Sequence, residues 1–420
     1  MSNLSNPNED PQVGVQTFNA TVRNLSSKGY GVVEHPDGRI FFAKGCWPGD
    51  VSSFQIESFK KRYGEAILLQ IIEPSDERVA PACPYQGHRR GECGGCPWMI
   101  ATYSAQIKYK LHRIEYAFSR QKILLTPNSS ISGRIIKDFW EAPEILGYRN
   151  RLQLKTDGTV VGLVSAQSKV LVPVTDCLVL NTHCRTILKD IVAILPRDEW
   201  RPHKNSNYLW NYLEIDDDIR PQSQDDLISS LEINKRRSFR QGNSQQNQRM
   251  QEWLKEKLLT SSTAGSMYPG PILELFSGDG NFTKIIAEAN NHSALHRHIW
   301  AVDLQGEALQ TLRKKELPLV NIVELDLFQS NAWFKLKPMI DGPPSMVILN
   351  PPREGLEYRK NFFTSFPELK EIFYISCNPD TFVRDANDII CEGYQLCEVQ
   401  PLDQFPHTSH MELLAHFRRE

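Results

Sequence analysis

The sequence predicts an α/β chain in three parts. These are a small N-terminal β-barrel, a cysteine-bearing antiparallel middle, and a doubly wound, Rossmann-like C-terminal sheet. Three observations carry this reading. About five short strand-like runs fall between Gln16 and Glu73. Strand-like and helix-like segments alternate from Pro271 onward. Between the two lie Cys83, Cys93 and Cys96, followed by short β-like runs. The implied boundaries are a disordered tail at 1–12, the barrel at 13–74, the middle at 75–245 and the α/β part at 246–420.

Composition bounds the function. A content of 40% hydrophobic and 23% charged residues is globular, and the net charge of -2 means that a nucleic-acid site must be a local patch. No apolar run approaches a membrane span, so no membrane association is expected. The polar, acidic start from Met1 to Asp10 reads as neither a signal nor a transit peptide. Nine cysteines without such a signal point to a reducing cytoplasm, where clustered thiols serve as ligands or catalysts.

The barrel strands are Phe18–Arg23, Gly29–Val33, Arg39–Ala43, Val51–Phe59 and Glu65–Ile72, with Asp37-Gly38 as a hairpin turn. So many short strands in so little chain make a barrel of the OB type. Such barrels bind single-stranded nucleic acid through aromatics and basic loops. Tyr30, Phe41, Phe42, Lys60, Lys61, Arg62 and Tyr63 are the candidates, and Phe41 and Phe42 serve equally well as barrel core.

The cysteines follow the spacing C-x9-C-x2-C, and Gly94-Gly95 permits the turn that lets Cys93 and Cys96 converge on one metal centre. A fourth ligand is needed for zinc or for an iron–sulfur cubane, with Cys177 and Cys184 as candidates. From Pro81 to Lys155 the chain has 12 Lys/Arg against 5 Asp/Glu, a local net of +7, with tyrosines and Trp98 interspersed. Lys108, Lys110 and Arg113 lie in a helical stretch from Thr102 to Gln121 and read either as phosphate ligands or as a solvated helix face. Strand-like runs then follow at Arg151–Lys155, Val160–Val164, Val170–Val174, Leu209–Ile215 and Leu231–Ile233, with a helix at Asn247–Leu259.

In the α/β part, Ile272–Phe276 is a buried strand, Ser277-Gly278-Asp279-Gly280 a Gly-rich loop, and Phe282–Glu288 a helix. The next strand ends at Asp303, another ends near Asp326, and a third runs into Asn350-Pro351-Pro352-Arg353. Ile372–Ser376 leads to Cys377, and Tyr394–Pro401 with Met411–Phe417 closes the chain as an antiparallel pair. A Gly-rich loop plus an acid at the second strand end is a nucleotide-type site. Thr283 stands where the dinucleotide fingerprint needs its third glycine, so E-x-F-x-G-x-G fits S-adenosylmethionine better, which has a ribose and no phosphate.

Cys377 sits at a strand exit before Asn378-Pro379, where proline stops the ladder. A thiol beside a methyl donor fits one chemistry. A thiolate adding to carbon 6 of a pyrimidine makes carbon 5 nucleophilic, and a base must later remove the carbon-5 proton. Glu412 is the candidate base. His407 and His410 have no Cys or third His nearby to complete a zinc site.

These motifs carry a resemblance. G-Y-G-V-V, R-I-F-F and P-G-D in the barrel resemble the TRAM domain. L-E-L-F-S-G-D-G-N-F-T, N-P-P-R-E-G, Y-I-S-C-N-P and F-P-H-T-S-H-M-E resemble the RNA uracil-5-methyltransferase family over nearly the whole chain. The resemblance implies a class I, S-adenosylmethionine-dependent enzyme that makes 5-methyluridine in RNA. It implies Cys377 as nucleophile and Glu412 as base. It places Gln241 (in F-R-Q-G-N), Phe276, Gly278, Asp303 and Asn350 around the cofactor. It also implies Cys83, Cys93, Cys96 and Cys177 as ligands of a [4Fe-4S] cluster in preference to zinc. The first cysteine gap is longer than is usual in the family, and Asn350 stands where many members have Asp. An Asn is not a base, which leaves proton removal to Glu412. The expected partner is RNA, 23S rRNA before tRNA, with no obligate protein partner.

Three other readings fit less well. A radical methylthiotransferase needs C-x3-C-x2-C, which is absent; a DNA cytosine-5-methyltransferase has its nucleophile after a proline, whereas Ser376 precedes Cys377. A non-catalytic RNA-binding factor would not need both Cys377 and Glu412.

Overall fold

The computed structural model describes residues 16–60, 62–121, 134–165, 168–203, 208–263, 269–293, 295–304 and 306–419. The expected tail at 1–12 and the candidate Lys61 lie outside them. The chain forms two compact units: Met1–Lys110, Glu144–Lys235 and Pro406–Ser409 make the first, and Leu111–Pro143, Arg236–Phe405 and His410–Glu420 the second.

In the first unit, β1 (Thr17–Thr21), β2 (Asn24–Leu25), β3 (Gly31–Glu34), β4 (Ile40–Ala43), β5 (Val51–Lys60) and β6 (Tyr63–Glu73) form one sheet in the order β1-β5-β6-β4-β3-β2. The sequence predicts a single first strand, but the chain breaks it between Thr21 and Asn24. There the Val22 amide donates to the Asp50 carbonyl and the Arg23 amide to the Val32 carbonyl, each at 2.9 Å. The two pieces occupy opposite edges of the sheet and are joined by this short link. Along β5, Ser52, Phe54 and Ile56 alternate inward, the period of two that buries one face. Phe41 is fully buried among Phe18, Val33 and Phe54, so it is core and leaves the set of candidate RNA contacts. Phe42 is half-buried against the exposed Tyr63.

A helix, α1, spans Tyr103–Arg120. The middle sheet is antiparallel in the order β10-β7-β8-β9, built from β7 (Arg151–Thr156), β8 (Val161–Val164), β9 (Leu171–Pro173) and β10 (Asn211–Asp216). Helix α2 (Thr182–Ala193) packs Cys184, Ile187, Leu188 and Ile191 into its core, and α3 (Gln224–Ser230) follows. Leu231–Ile233 is not a strand: Leu231 is the C-cap of α3 and its amide bonds the Ile228 carbonyl.

The second unit contains α4 (Ser244–Thr263) and a seven-stranded sheet, β13-β12-β11-β14-β15-β17-β16. Its elements are β11 (Ile272–Leu275), α5 (Thr283–Asn291), β12 (Ile299–Asp303), α6 (Gly306–Arg313), β13 (Val320–Glu324), α7 (Ala332–Leu336), β14 (Met346–Leu349), α8 (Arg359–Ser365), β15 (Glu371–Ser376), α9 (Pro379–Cys391), β16 (Gln395–Leu402) and β17 (Glu412–Arg418). The first five strands along the sheet are parallel; β17 is antiparallel and inserts between β15 and β16. Both faces are covered, because Ile372 and Tyr374 enter one hydrophobic core while Phe373 and Ile375 enter another. That is why β15 reads as an unbroken apolar run rather than an alternating one. The strand order reverses between β11 and β14, where a doubly wound sheet opens its ligand crevice. Among the described residues, no helix is long and apolar enough to cross a membrane.

Candidate active site

β15 delivers Cys377 to the carboxyl edge of the sheet. Asn378 caps α9 with its side chain and Pro379 takes the first helical position, where its missing amide hydrogen has no consequence. Register then brings Glu412 to the same place. Ser376 lies opposite Leu413 in the antiparallel β15–β17 pair, so one further step sets Cys377 opposite Glu412. Glu412 also faces Leu402 of β16 and is buried between its neighbours.

The electrostatics couple three groups. Burial pushes the Cys377 thiol up to about 12, the Glu412 carboxyl adds to this, and the Arg353 guanidinium opposes it through its charge and a side-chain hydrogen bond. Burial lifts the Glu412 carboxyl to about 8, again with Arg353 pulling it down. Arg353, exposed beyond β14, thus acts on both groups, and its Nη2 lies 3.4 Å from His410 Nε2. Sequence reading quoted Arg353 only as part of N-P-P-R. The signal that could have found it is the need for a fixed positive charge beside a thiol that must ionise.

The Gly-rich loop sits at the sheet's switch point. Phe276 adopts φ +62° and Gly278 φ +57°, so the chain turns sharply off β11. Asp303 accepts the Gly278 amide at 2.8 Å, fixing the loop against the end of β12. A Cβ added at Gly278 would meet nothing within 4 Å, so the loop borders open space, whereas one at Gly280 would strike Leu312. The Ser277 hydroxyl is buried here and has no hydrogen-bond partner among the described residues. Asn350 bonds back to the Leu275 carbonyl (3.3 Å), which places the N-P-P-R segment beside the loop. The rings of Phe276 and Phe328 stand 5.8 Å apart; Phe328 is an apolar neighbour that sequence reading missed. Gln241 is buried and accepts a hydrogen bond from Gln404 Nε2 at 3.0 Å. A ribose-bearing, phosphate-free ligand fits this set of one carboxylate, open glycine backbone and aromatic wall.

In the first unit, Cys83, Cys93, Cys96 and Cys177 line one cavity of about 50 Å³. The thiols act on one another, since Cys96 is pushed up to about 12 by burial and then by Cys177, Cys93 and Cys83. Tyr85, two residues after Cys83, bonds Thr175 at 2.7 Å and so joins the two cysteine-bearing segments. Cys184 does not join them. It is fully buried in α2 with its thiol donating to the Asn150 carbonyl, so Cys177 is the fourth thiol of the cavity. Among the described residues, no group of three or more His, Cys, Asp or Glu is arranged to hold a metal ion. His407 bonds Gln106 through its amide (2.8 Å) and its Nδ1 (3.2 Å).

The basic stretch resolves differently from expectation. Lys108 pairs with Glu77, Lys110 is fully buried over Trp98, and Arg113 bonds Asn378 and Asp380. Lys108 is exposed and keeps the character of a solvated helix face, whereas Lys110 and Arg113 are turned into the protein and fit neither a bare phosphate site nor a solvated face.

Residues 328–419 match the family model of tRNA (uracil-5-)-methyltransferases. An RNA methyltransferase of Nitrosomonas europaea is 37% identical over 96% of this chain and 97% of its own length. The chain belongs to the RNA uracil-5-methyltransferase family. As a member it is an enzyme, a transferase that uses S-adenosylmethionine. The 23S rRNA (uracil(1939)-C(5))-methyltransferase RlmD of Vibrio parahaemolyticus is 26% identical, with full coverage of both chains. The crystal structure of a Pyrococcus abyssi tRNA (uracil-54, C5)-methyltransferase, complexed with S-adenosyl-L-homocysteine, shares the fold at a TM-score of 0.67 and 19% identity. That match covers 95% of this chain and 100% of the other.

Proposed function

We propose that this uracil-5-methyltransferase modifies a specific uridine of 23S rRNA, with tRNA as the alternative substrate, through Cys377 and Glu412. The observation that carries the reading is the meeting of these two groups, with Arg353, where β15 ends and β17 begins. The 23S rRNA preference rests on the full-length similarity to RlmD proteins. A cytoplasmic location belongs to the same reading.

Gln241, Phe276, Gly278, Asp303 and Asn350 are the residues assigned to S-adenosylmethionine, which supplies a methyl group on a sulfonium. Arg353 favours the Cys377 thiolate, and the thiolate adds to uracil carbon 6. Carbon 5 becomes nucleophilic and accepts the methyl group. Glu412 then takes the carbon-5 proton, and the carbon–sulfur bond breaks to release Cys377 and 5-methyluridine. A carboxyl held near pH 8 is a far stronger base than a solvated one and stands close to the working pH. Asn350 donates or accepts hydrogen bonds at the uracil or cofactor and removes no proton.

Residues 13–74 serve as a TRAM-type RNA-binding barrel through Tyr30, Phe42, Lys60, Arg62 and Tyr63. Residues 75–245 form the cluster-bearing middle and 246–420 the transferase. The four thiols that line one cavity, Cys83, Cys93, Cys96 and Cys177, are the ligands assigned to a [4Fe-4S] group in preference to zinc. Its role in this reading is to hold the middle part together.

The test is methyl transfer from labelled S-adenosylmethionine to rRNA and tRNA prepared without the modification. Label in 5-methyluridine of the rRNA pool is expected. Label confined to tRNA would overturn the rRNA assignment, and label in neither would overturn the proposed substrates.

A further inference from the structure

The first turn of α9 ties together the two segments that carry Cys377 and Arg353. Asn378 is the junction. Its Oδ1 accepts the Asp380 amide at 3.2 Å and an Arg113 Nη2 hydrogen at 3.4 Å, and its Nδ2 donates to the Arg353 carbonyl at 3.2 Å. Two donors facing one atom identify it as the oxygen, so the nitrogen must face Arg353. Thr381 Oγ1 donates to the same carbonyl at 3.0 Å. Ser376 Oγ donates to the Asn378 carbonyl (3.2 Å) and accepts the Asn378 amide (3.3 Å), which closes the loop around Cys377. Arg113, mostly buried, also pairs with Asp380 at 3.1 Å.

Helix capping alone does not call for this arrangement, because Ser, Thr or Asp would cap as well. What Asn adds is a donor and an acceptor at opposite corners of one planar group. We propose, building on the assignment of Cys377 as nucleophile, that Asn378 and Arg113 are positioning residues for methyl transfer: Asn378 sets the distance between the Cys377 thiol and the Arg353 guanidinium, and Arg113 holds the Asn378 amide in place. A guanidinium is always charged, so its distance governs how readily the thiol ionises. Neither residue touches substrate in this scheme.

The test uses full-length Asn378→Ser, which keeps a capping oxygen and loses the donor to Arg353. Cys377 alkylation is followed against pH by peptide mass spectrometry, beside steady-state kinetics and thermal unfolding. The expected result is an unchanged unfolding temperature and RNA KM, kcat lower by about tenfold or more, and an alkylation midpoint moved to higher pH. Arg113→Met moves the midpoint the same way and Arg113→Lys restores part of it. Thr381→Val, which leaves the cap intact, gives the same shift should Asn378→Ser fold poorly. An unchanged alkylation profile in all of these variants would overturn the proposal, even if unfolding temperatures fell. A Cys377→Ala enzyme that still methylates would overturn the nucleophile assignment instead.

Discussion

Glu412→Gln should separate stability from turnover. The Glu412 carboxyl is buried on β17 and lifted from an ordinary 4.5 to about 8, by burial against a smaller opposing pull from Arg353. Between those two values the folded chain keeps a proton that the unfolded chain has released. Stability therefore falls as pH rises through that window, by about 1.36 kcal/mol per pH unit, and none of it is lost below pH 4.5. The gap from 4.5 to about 8 corresponds to about 5 kcal/mol once the group is fully ionised. Gln has the same shape and no charge. The variant should match wild type near pH 4.5 and exceed it above pH 8 by an amount on this order, about 10 °C in the unfolding temperature of the catalytic unit. Glu274, also raised to about 8 by burial, is present in both proteins and cancels in the difference. The assay is thermal unfolding of both proteins from pH 4.5 to 8.5. With RNA and S-adenosylmethionine, the same variant should accumulate a methylated protein–RNA adduct on denaturing gels, because release needs the base. Parallel unfolding curves would refute the buried-carboxylate reasoning, and normal turnover would refute the base assignment.

Other substitutions test the remaining sites. Asp303→Ala removes the acceptor of the Gly278 amide and the carboxylate proposed to hold the ribose. It should weaken S-adenosylmethionine binding about tenfold to a hundredfold by titration calorimetry. Cys177→Ser should lose bound iron, measured per chain, while Cys184→Ala should keep iron and lower stability, since only the first thiol lines the cavity. Phe41→Ala should destabilise the barrel by about 3–5 kcal/mol in denaturant unfolding. Tyr63→Ala should leave stability unchanged and weaken RNA binding in fluorescence anisotropy, because Tyr63 is half-exposed where Phe41 is fully buried.

The α/β part was legible because its strands are apolar on both faces and end in residues with distinctive chemistry. Asp303, Asn350 and Cys377 all fall at the carboxyl ends of parallel strands, where the sequence places them. The insertion of β17 between β15 and β16 was not legible, since nothing local distinguishes it from a terminal hairpin. Yet that insertion is what sets Glu412 opposite Cys377. The split of the first barrel strand escaped for the same reason: the break at Val22 is stabilised by Asp50 and Val32, both distant in sequence. Phe41 and Phe42 are indistinguishable by composition, and only strand register decides that Phe41 points inward. The choice of Cys177 over Cys184 depends on helix phase, because α2 turns Cys184 into its core. Basic residues misled most, since charge in sequence does not show that Lys110 is buried or that Arg113 already has partners in α9.

The most direct measurement is tritium release from RNA carrying [5-³H]uridine, with wild-type and Cys377→Ser enzymes, alongside methyl incorporation. Wild type should release one carbon-5 hydrogen for each methyl group gained, and Cys377→Ser should do neither while still binding RNA. Methylation without tritium release, or release by the Cys377→Ser enzyme at the wild-type rate, would contradict nucleophilic catalysis by Cys377 at uracil.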